Sequence, residues 1–336
     1  MTEPPAAGNA MPGSDQTVVK RPPAGGWRAA LRVAFIVGAV VLGALALVSQ
    51  RHQIAEALRQ AHPVSVLLSA LFVPLALHAT MLAWRILLKD LGSSLPLHAA
   101  ARIYYLSQLG KYLPGSVWPV LAQMELGREY AVPRPRSAVT LMVLFAVGVC
   151  SSLLVAAVTL PLVSLGVVTT YWWVWISVPV LLAGMQPRLL SWALSRAAVL
   201  LRREPPQGTI SARGIWGAMG LCAVSWLCFG LHLGFLAKGL GASGASVWPL
   251  AIGAFSLAWA AGFIVIVVPA GAGIREAVIV VAFASVLPSG VALLVAILSR
   301  LLVTSGDLLL AGVAVAAHRY RRSVPLSTGV DRDMPE

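Results

Sequence analysis

Apolar stretches of membrane-crossing length follow one another along this chain, and two of them are broken by glycine and proline beside charged residues. The first break reads Gly110-Lys111-Tyr112-Leu113-Pro114-Gly115-Ser116-Val117-Trp118, the second Val268-Pro269-Ala270-Gly271-Ala272-Gly273-Ile274-Arg275-Glu276. In hydrocarbon a broken helix leaves backbone N–H and C=O groups without partners, so it is tolerated only where protein or a wet cavity supplies them. Ionisable side chains at that depth are costly and usually functional. Paired breaks in comparable positions of two halves point to a substrate site between them.

Composition supports the membrane premise. With 58% hydrophobic and 11% charged residues, and a mean hydropathy of +0.83, the chain has too little charge to cover a soluble surface of its size. Lysine and arginine outnumber the acids 25 to 12, for a net charge of +13, which would suit nucleic acid if it were clustered on one soluble face. Instead the basic residues sit between apolar runs, at Arg134 and Arg136, from Arg188 to Arg213, and from Arg319 to Arg322. That placement marks cytoplasmic loops beside anionic lipid, and no nucleic-acid partner is expected. Cys150, Cys222 and Cys228 lie inside apolar runs without metal-ligand spacing, so they read as small core residues, and neither a metal nor a cofactor is expected.

The expected fold is an all-α integral membrane protein: a polytopic bundle of about eight transmembrane helices, with a re-entrant helical hairpin and a second Gly/Pro-broken helix. Residues 1–29, rich in Pro, Gly and Ala, read as a disordered cytoplasmic tail. The leader before the first apolar run is too long and polar for a signal peptide. The membrane domain covers 30–318 and a basic cytoplasmic tail covers 319–336. Spans are expected near Val33–Val48, Val64–Leu88, Ala138–Val163, Tyr171–Gly184, Ile215–Ala237, Val247–Val268, Ile274–Leu287 and Val291–Ala317, most close to the ~20 residues that a bilayer core demands. Both termini then face the cytoplasm, and only Arg51, Arg59 and Lys238 lie opposite. This works only if residues 97–130 form a hairpin that enters and leaves from the cytoplasmic face.

In the hairpin's first arm Tyr104, Ser107, Gln108 and Lys111 fall on one helical face. Its second arm starts at Pro114-Gly115-Ser116, where Ser116 is placed to cap the helix and the free amides at Gly115 to Val117 can hold an anion. The second break, 268–276, repeats the pattern. Gly271 and Gly273 give permissive backbone before a helix whose first turn carries Arg275 and Glu276. Glu276 suits the helix dipole, whereas Arg275 needs a partner from elsewhere. Arg300, Thr304 and Asp307, spaced by four and three, make one polar stripe on the last helix, so Asp307 or Arg300 is expected to pair with Arg275 or Glu276. A helix-holding ion network would explain the same charges. His78 and His232 read as satisfied core histidines, and Glu125, Arg128 and Glu129 as a solvated helix end.

No Walker A motif, nucleophile elbow, HExxH pair or carboxylate pair suggests an enzyme. Gly271-Ala272-Gly273 lacks the strand and βαβ setting of a dinucleotide fingerprint.

The segments Ser107 to Trp118 and Pro269 to Glu276 resemble signatures of the lysylphosphatidylglycerol synthase transmembrane, or flippase-like, family. The resemblance spans about Arg32 to Ala317, with Ala270 where the family's Pro-Gly-Gly-x-Gly-x-Arg-Glu pattern commonly has glycine. It implies a polytopic protein of a bacterial-type cytoplasmic membrane, whose characterised relatives carry aminoacylated phosphatidylglycerol between leaflets and are fused to a cytoplasmic synthase domain. This chain ends soon after Arg322, so it is expected not to aminoacylate lipid. Similar stand-alone proteins have been linked to other lipids, including polyprenol-linked sugars. The leading expectation is a lipid translocase, with anionic or phosphate-bearing membrane lipids as partners. A scaffold for an envelope-building enzyme and an intramembrane glycosyl or phosphoryl transferase are the alternatives.

Overall fold

The computed structural model describes residues 61–113, 117–163, 172–200, 210–264, 271 and 273–323, with single positions at 52, 55, 56 and 59. The expected first span and both tails, apart from the last helix's extension to Ser323, lie outside these residues. Among them are ten α-helices and no strand. They are α1 (Pro63–Asp90), α2 (Leu97–Gln108), α3 (Trp118–Arg128), α4 (Arg134–Thr159), α5 (Trp172–Gly184), α6 (Pro187–Leu200), α7 (Ala212–Gly239), α8 (Val247–Ile264), α9 (Ile274–Phe283) and α10 (Ser289–Ser323). Four are long and apolar enough to cross a membrane: α1, α4 with its extension to Leu162, α7 and α10 to Tyr320.

These helices wear their apolar residues outside as well as inside. On α1, Val64, Leu67, Leu71 and Leu75 form an exposed stripe at helical spacing, and Leu301, Leu308 and Leu309 do the same on α10. Such stripes suit hydrocarbon, which solvates leucine as well as a protein core does. The helix–helix seams are instead set by small and polar residues, which allow close approach. Helices α1 and α7 run antiparallel: the His62 amide donates to the Gly239 carbonyl at one end (3.1 Å), and the Ser211 amide donates to Asp90 at the other (2.5 Å). Between them His232 shares hydrogen bonds with Ser69 (2.8 Å) and with Ser299 of α10 (2.9 Å), joining three helices. His78 is likewise satisfied, by the Tyr105 hydroxyl at 2.9 Å.

One end of the bundle collects the arginines. Arg136 donates to the Gly92 carbonyl (3.0 Å), Arg134 and Arg128 both reach Glu125, and Arg102 pairs with Glu129. From this end α2 runs inward, turns through a short 3₁₀ segment at Leu109–Tyr112, and returns as α3. That is the expected re-entrant hairpin. The turn is tight because a Cβ on Gly110 would lie 2.8 Å from the Pro119 nitrogen, so only glycine fits. Helix α3 starts at Trp118 with Val117 as its N-cap; the expected cap, Ser116, lies outside the described residues.

The second break differs from expectation. Helix α9 has ten residues, about 15 Å at 1.5 Å per residue, half a hydrocarbon core, so it is not a crossing. Gly262 of α8 faces Arg275, and farther along Phe255 and Ile279 line one cavity, so α9 folds back along α8. Helices α8 and α9 are a second hairpin, entering from the end opposite the arginines. The inner end of α8 lies within the bundle, where Phe263 rests on Phe145 of α4 at 5.0 Å, a residue about 16 Å along α4 from Arg134; residues 265–270 and 272, which join α8 to α9, lie outside the described residues. The two hairpins therefore point at each other, and α10 passes beside both tips.

Candidate functional site

Where the tips meet, five charged side chains gather. Lys111, at the first tip, places Nζ 2.6 Å from Asp307 Oδ2, and the adjacent Tyr112 hydroxyl donates to the same oxygen at 2.5 Å. Asp307 is only 3% exposed, and a lone carboxylate at that depth would be severely destabilising without these donors. Seven residues back on α10, two turns nearer the other hairpin, Arg300 pairs with Glu276 at 2.5 Å. Thus α10 carries one cation and one anion, each bound to the opposite charge of a different hairpin.

Glu276 has a further task. Its other carboxylate oxygen accepts from the Gly273 amide at 2.6 Å, and Gly273 has φ +84°, the left-handed region that glycine favours. Glu276 thus caps the start of α9 and occupies one of the amides near Gly273 expected to hold an anion, that of Gly273 itself. Gly115 and Ser116 fall outside the described residues.

Arg275 is set differently. Its guanidinium lies over the Trp259 ring, 5.9 Å from the centroid, where the ring's quadrupole attracts a cation. It fits there because Gly262 and Gly271 leave a notch: a Cβ on either would stand 2.8 or 3.0 Å from Arg275 Nε. Among the described residues Arg275 makes no ion pair, and its buried Nε has no hydrogen-bond partner. The expected partnership of this residue with Asp307 does not form. Glu276 with Arg300 is the expected pair that does.

Two cavities flank Lys111 and Arg275. One, of about 60 Å³, is lined by Lys111, Tyr112, Arg275, Glu276, Arg300 and Thr304; it has room for a few waters and is too small for a phospholipid headgroup. The other, of about 90 Å³, lies among aromatic rings including Trp226, Phe229 and Trp259, with Tyr104 and Gln108 on its wall. Ser107 turns away, fully buried and donating to the Tyr104 carbonyl at 2.8 Å. Thr304 donates to the Arg300 carbonyl while lining the first cavity. From the arginine-rich end, an apolar groove between α2 and α10 of about 420 Å³ runs from Arg319 past Val315 and Ala311 to Leu308 and Leu109, next to Asp307 and Lys111.

Three contributors escape a reading of sequence alone. Tyr112 sits in the first motif but reads there as a neighbour of Lys111. Trp259 and Gly262 lie in an unbroken apolar helix and gain meaning only when α9 folds back against them.

The fold and this chamber define a polytopic, all-α membrane protein with a charged site at the junction of two opposed hairpins. The chain belongs to the family described as lysylphosphatidylglycerol synthase TM region, whose model matches residues 30–311. Comparison with curated proteins finds no match.

Proposed function

We propose that this protein is a lipid translocase: a phosphate-bearing headgroup passes through the chamber between the hairpin tips while its chains stay in the bilayer. The observation that carries this reading is the convergence of Lys111, Arg275, Glu276 and Arg300 on one cavity, with Asp307 bound to Lys111 beside it. A scaffold would distribute such charges over separate helix seams and would not need two broken helices to aim them at one space. The apolar groove below Asp307 suits an acyl or prenyl chain drawn from one leaflet. Family membership supports a membrane domain of this kind.

The arginine-rich end is assigned to the cytoplasm of a bacterial-type plasma membrane, with the C-terminus there. The first hairpin then guards the cytoplasmic approach and the second the external one. Each is latched to α10 by its own ion pair, and with both latches closed the cavity admits only water. Releasing the Lys111–Asp307 latch opens the chamber toward the cytoplasmic leaflet, and releasing Glu276–Arg300 opens it outward. A headgroup phosphate competes for the cations of these pairs, since a phosphate oxygen accepts the same charge-assisted hydrogen bonds as a carboxylate.

Reconstitution tests the proposal. Wild-type protein in liposomes should carry acyl-labelled phospholipid between leaflets faster than empty vesicles, and Lys111→Ala and Arg275→Ala should each lower that rate at least tenfold while the protein stays folded. Wild-type rates in both variants would reject the chamber as the route.

A further inference from the structure

The charge balance of the chamber selects among headgroups. Lys111, Arg275 and Arg300 bring three positive charges, Glu276 and Asp307 two negative ones. Both acids are engaged, Asp307 by Lys111 and Tyr112, and Glu276 by Arg300 and the Gly273 amide. The surplus is Arg275, whose buried Nε has no acceptor among the described residues. Its guanidinium is met instead by the Trp259 face, and that face is thereby taken.

We propose that the chamber is built for a phosphate whose parent molecule carries no positive charge of its own, and that this phosphate docks on Arg275. The inference rests on the lipid-translocase reading and narrows it to anionic headgroups. One phosphodiester charge brings the five residues and ligand to neutrality, which a low-dielectric site strongly favours. Lysylphosphatidylglycerol would do the reverse. Its two amino groups would find no idle carboxylate among the described residues, and its net charge of about +1, two ammoniums against one phosphodiester, would add to the surplus. Nor does the aromatic cavity suit a cationic headgroup, because Arg275, lying over the Trp259 ring, and Lys111 both line it and would repel a like charge. The glycines at 262 and 271 serve this arrangement: a Cβ on either would crowd Arg275 Nε, and the side chain so seated lines both cavities.

The full chain, purified in detergent and reconstituted in liposomes, provides two readouts with acyl-labelled phosphatidylglycerol and lysylphosphatidylglycerol. In the binding assay phosphatidylglycerol should be held at least tenfold more tightly, and Arg275→Gln should erase the difference while Arg275→Lys restores part of it. Thermal melting of each variant confirms that it is folded. In the transport assay the same order should appear in rates. Equal or tighter binding of lysylphosphatidylglycerol, or an undiminished preference in folded Arg275→Gln, overturns the inference. Preference in binding without transport of either lipid leaves the anionic site standing and sinks the translocase reading instead. A competition arm with glycerol phosphate identifies the source of the phosphate. Poor competition supports a lipid ligand, and displacement of phosphatidylglycerol at equal concentration overturns the lipid assignment in favour of a soluble phosphate ester.

Discussion

Asp307 accepts from two side chains of the first hairpin on a single oxygen, so it anchors that hairpin more firmly than a lone pair would. Removing its charge leaves Lys111 facing a neutral group inside the bundle. We expect Asp307→Asn to destabilise the protein by roughly 3 kcal/mol, near the low end for breaking a buried pair, because Lys111 retains 28% exposure. Thermal unfolding in detergent measures this, and Lys111→Met combined with Asp307→Leu should recover most of the loss, since two apolar residues leave no orphaned charge. At the other latch, Glu276→Arg and Arg300→Glu should each impair transport, and the double exchange should restore it in part. Absence of any rescue would mean that the pair is incidental.

At the scale of elements, each hairpin depends on backbone that a side chain would obstruct. Gly110 packs against the Trp118–Pro119 backbone with no room for a methyl group, whereas Gly273 has open space and only an unusual φ. Gly110→Ala should therefore lower the melting temperature more than Gly273→Ala, whose penalty is the left-handed cost of about 1–2 kcal/mol. Equal shifts would show that the first tip is looser than its packing indicates. The hairpins also explain what sequence reveals and what it conceals. The α2–α3 hairpin is legible because Gly110, Lys111 and Pro114 interrupt an apolar pattern and because arginines on both sides of 97–130 require a return to the same face. The α8–α9 hairpin is not, since Ile274 to Leu287 carries charge only at Arg275 and Glu276 in its first turn and otherwise reads as a crossing. Length along the chain cannot distinguish a ten-residue helix plus turn from a short span. What decides it is that α9 folds back against Gly262 and Phe255, and no local signal records that contact. The Glu276–Arg300 pair is legible from charge spacing on α10, whereas Arg275's seat on Trp259 is hidden because an aromatic in an apolar helix reads as core or lipid contact.

Across the whole molecule, the hairpins approach from opposite ends, and the arginines lie at one of them. This gives the bundle a direction. With Cys150, Cys222 and Cys228 replaced by alanine, Ser94→Cys should react with an impermeant maleimide only from the cytoplasmic side and Ser243→Cys only from outside; the reverse pattern would invert the assignment of the two approaches. On the proposed reading the chamber is where, among the described residues, both approaches meet, with the closed form described by two intact latches. Thr304 lines the cavity between the latches, which makes it the position where access is read most directly. Thr304→Cys in the cysteine-free background should be labelled in vesicles from either face, slowly in the resting protein and faster when Asp307→Asn releases the inner latch. A Thr304→Cys that stays unreactive from both faces, or that reacts from one face alone whichever latch is broken, would contradict the account.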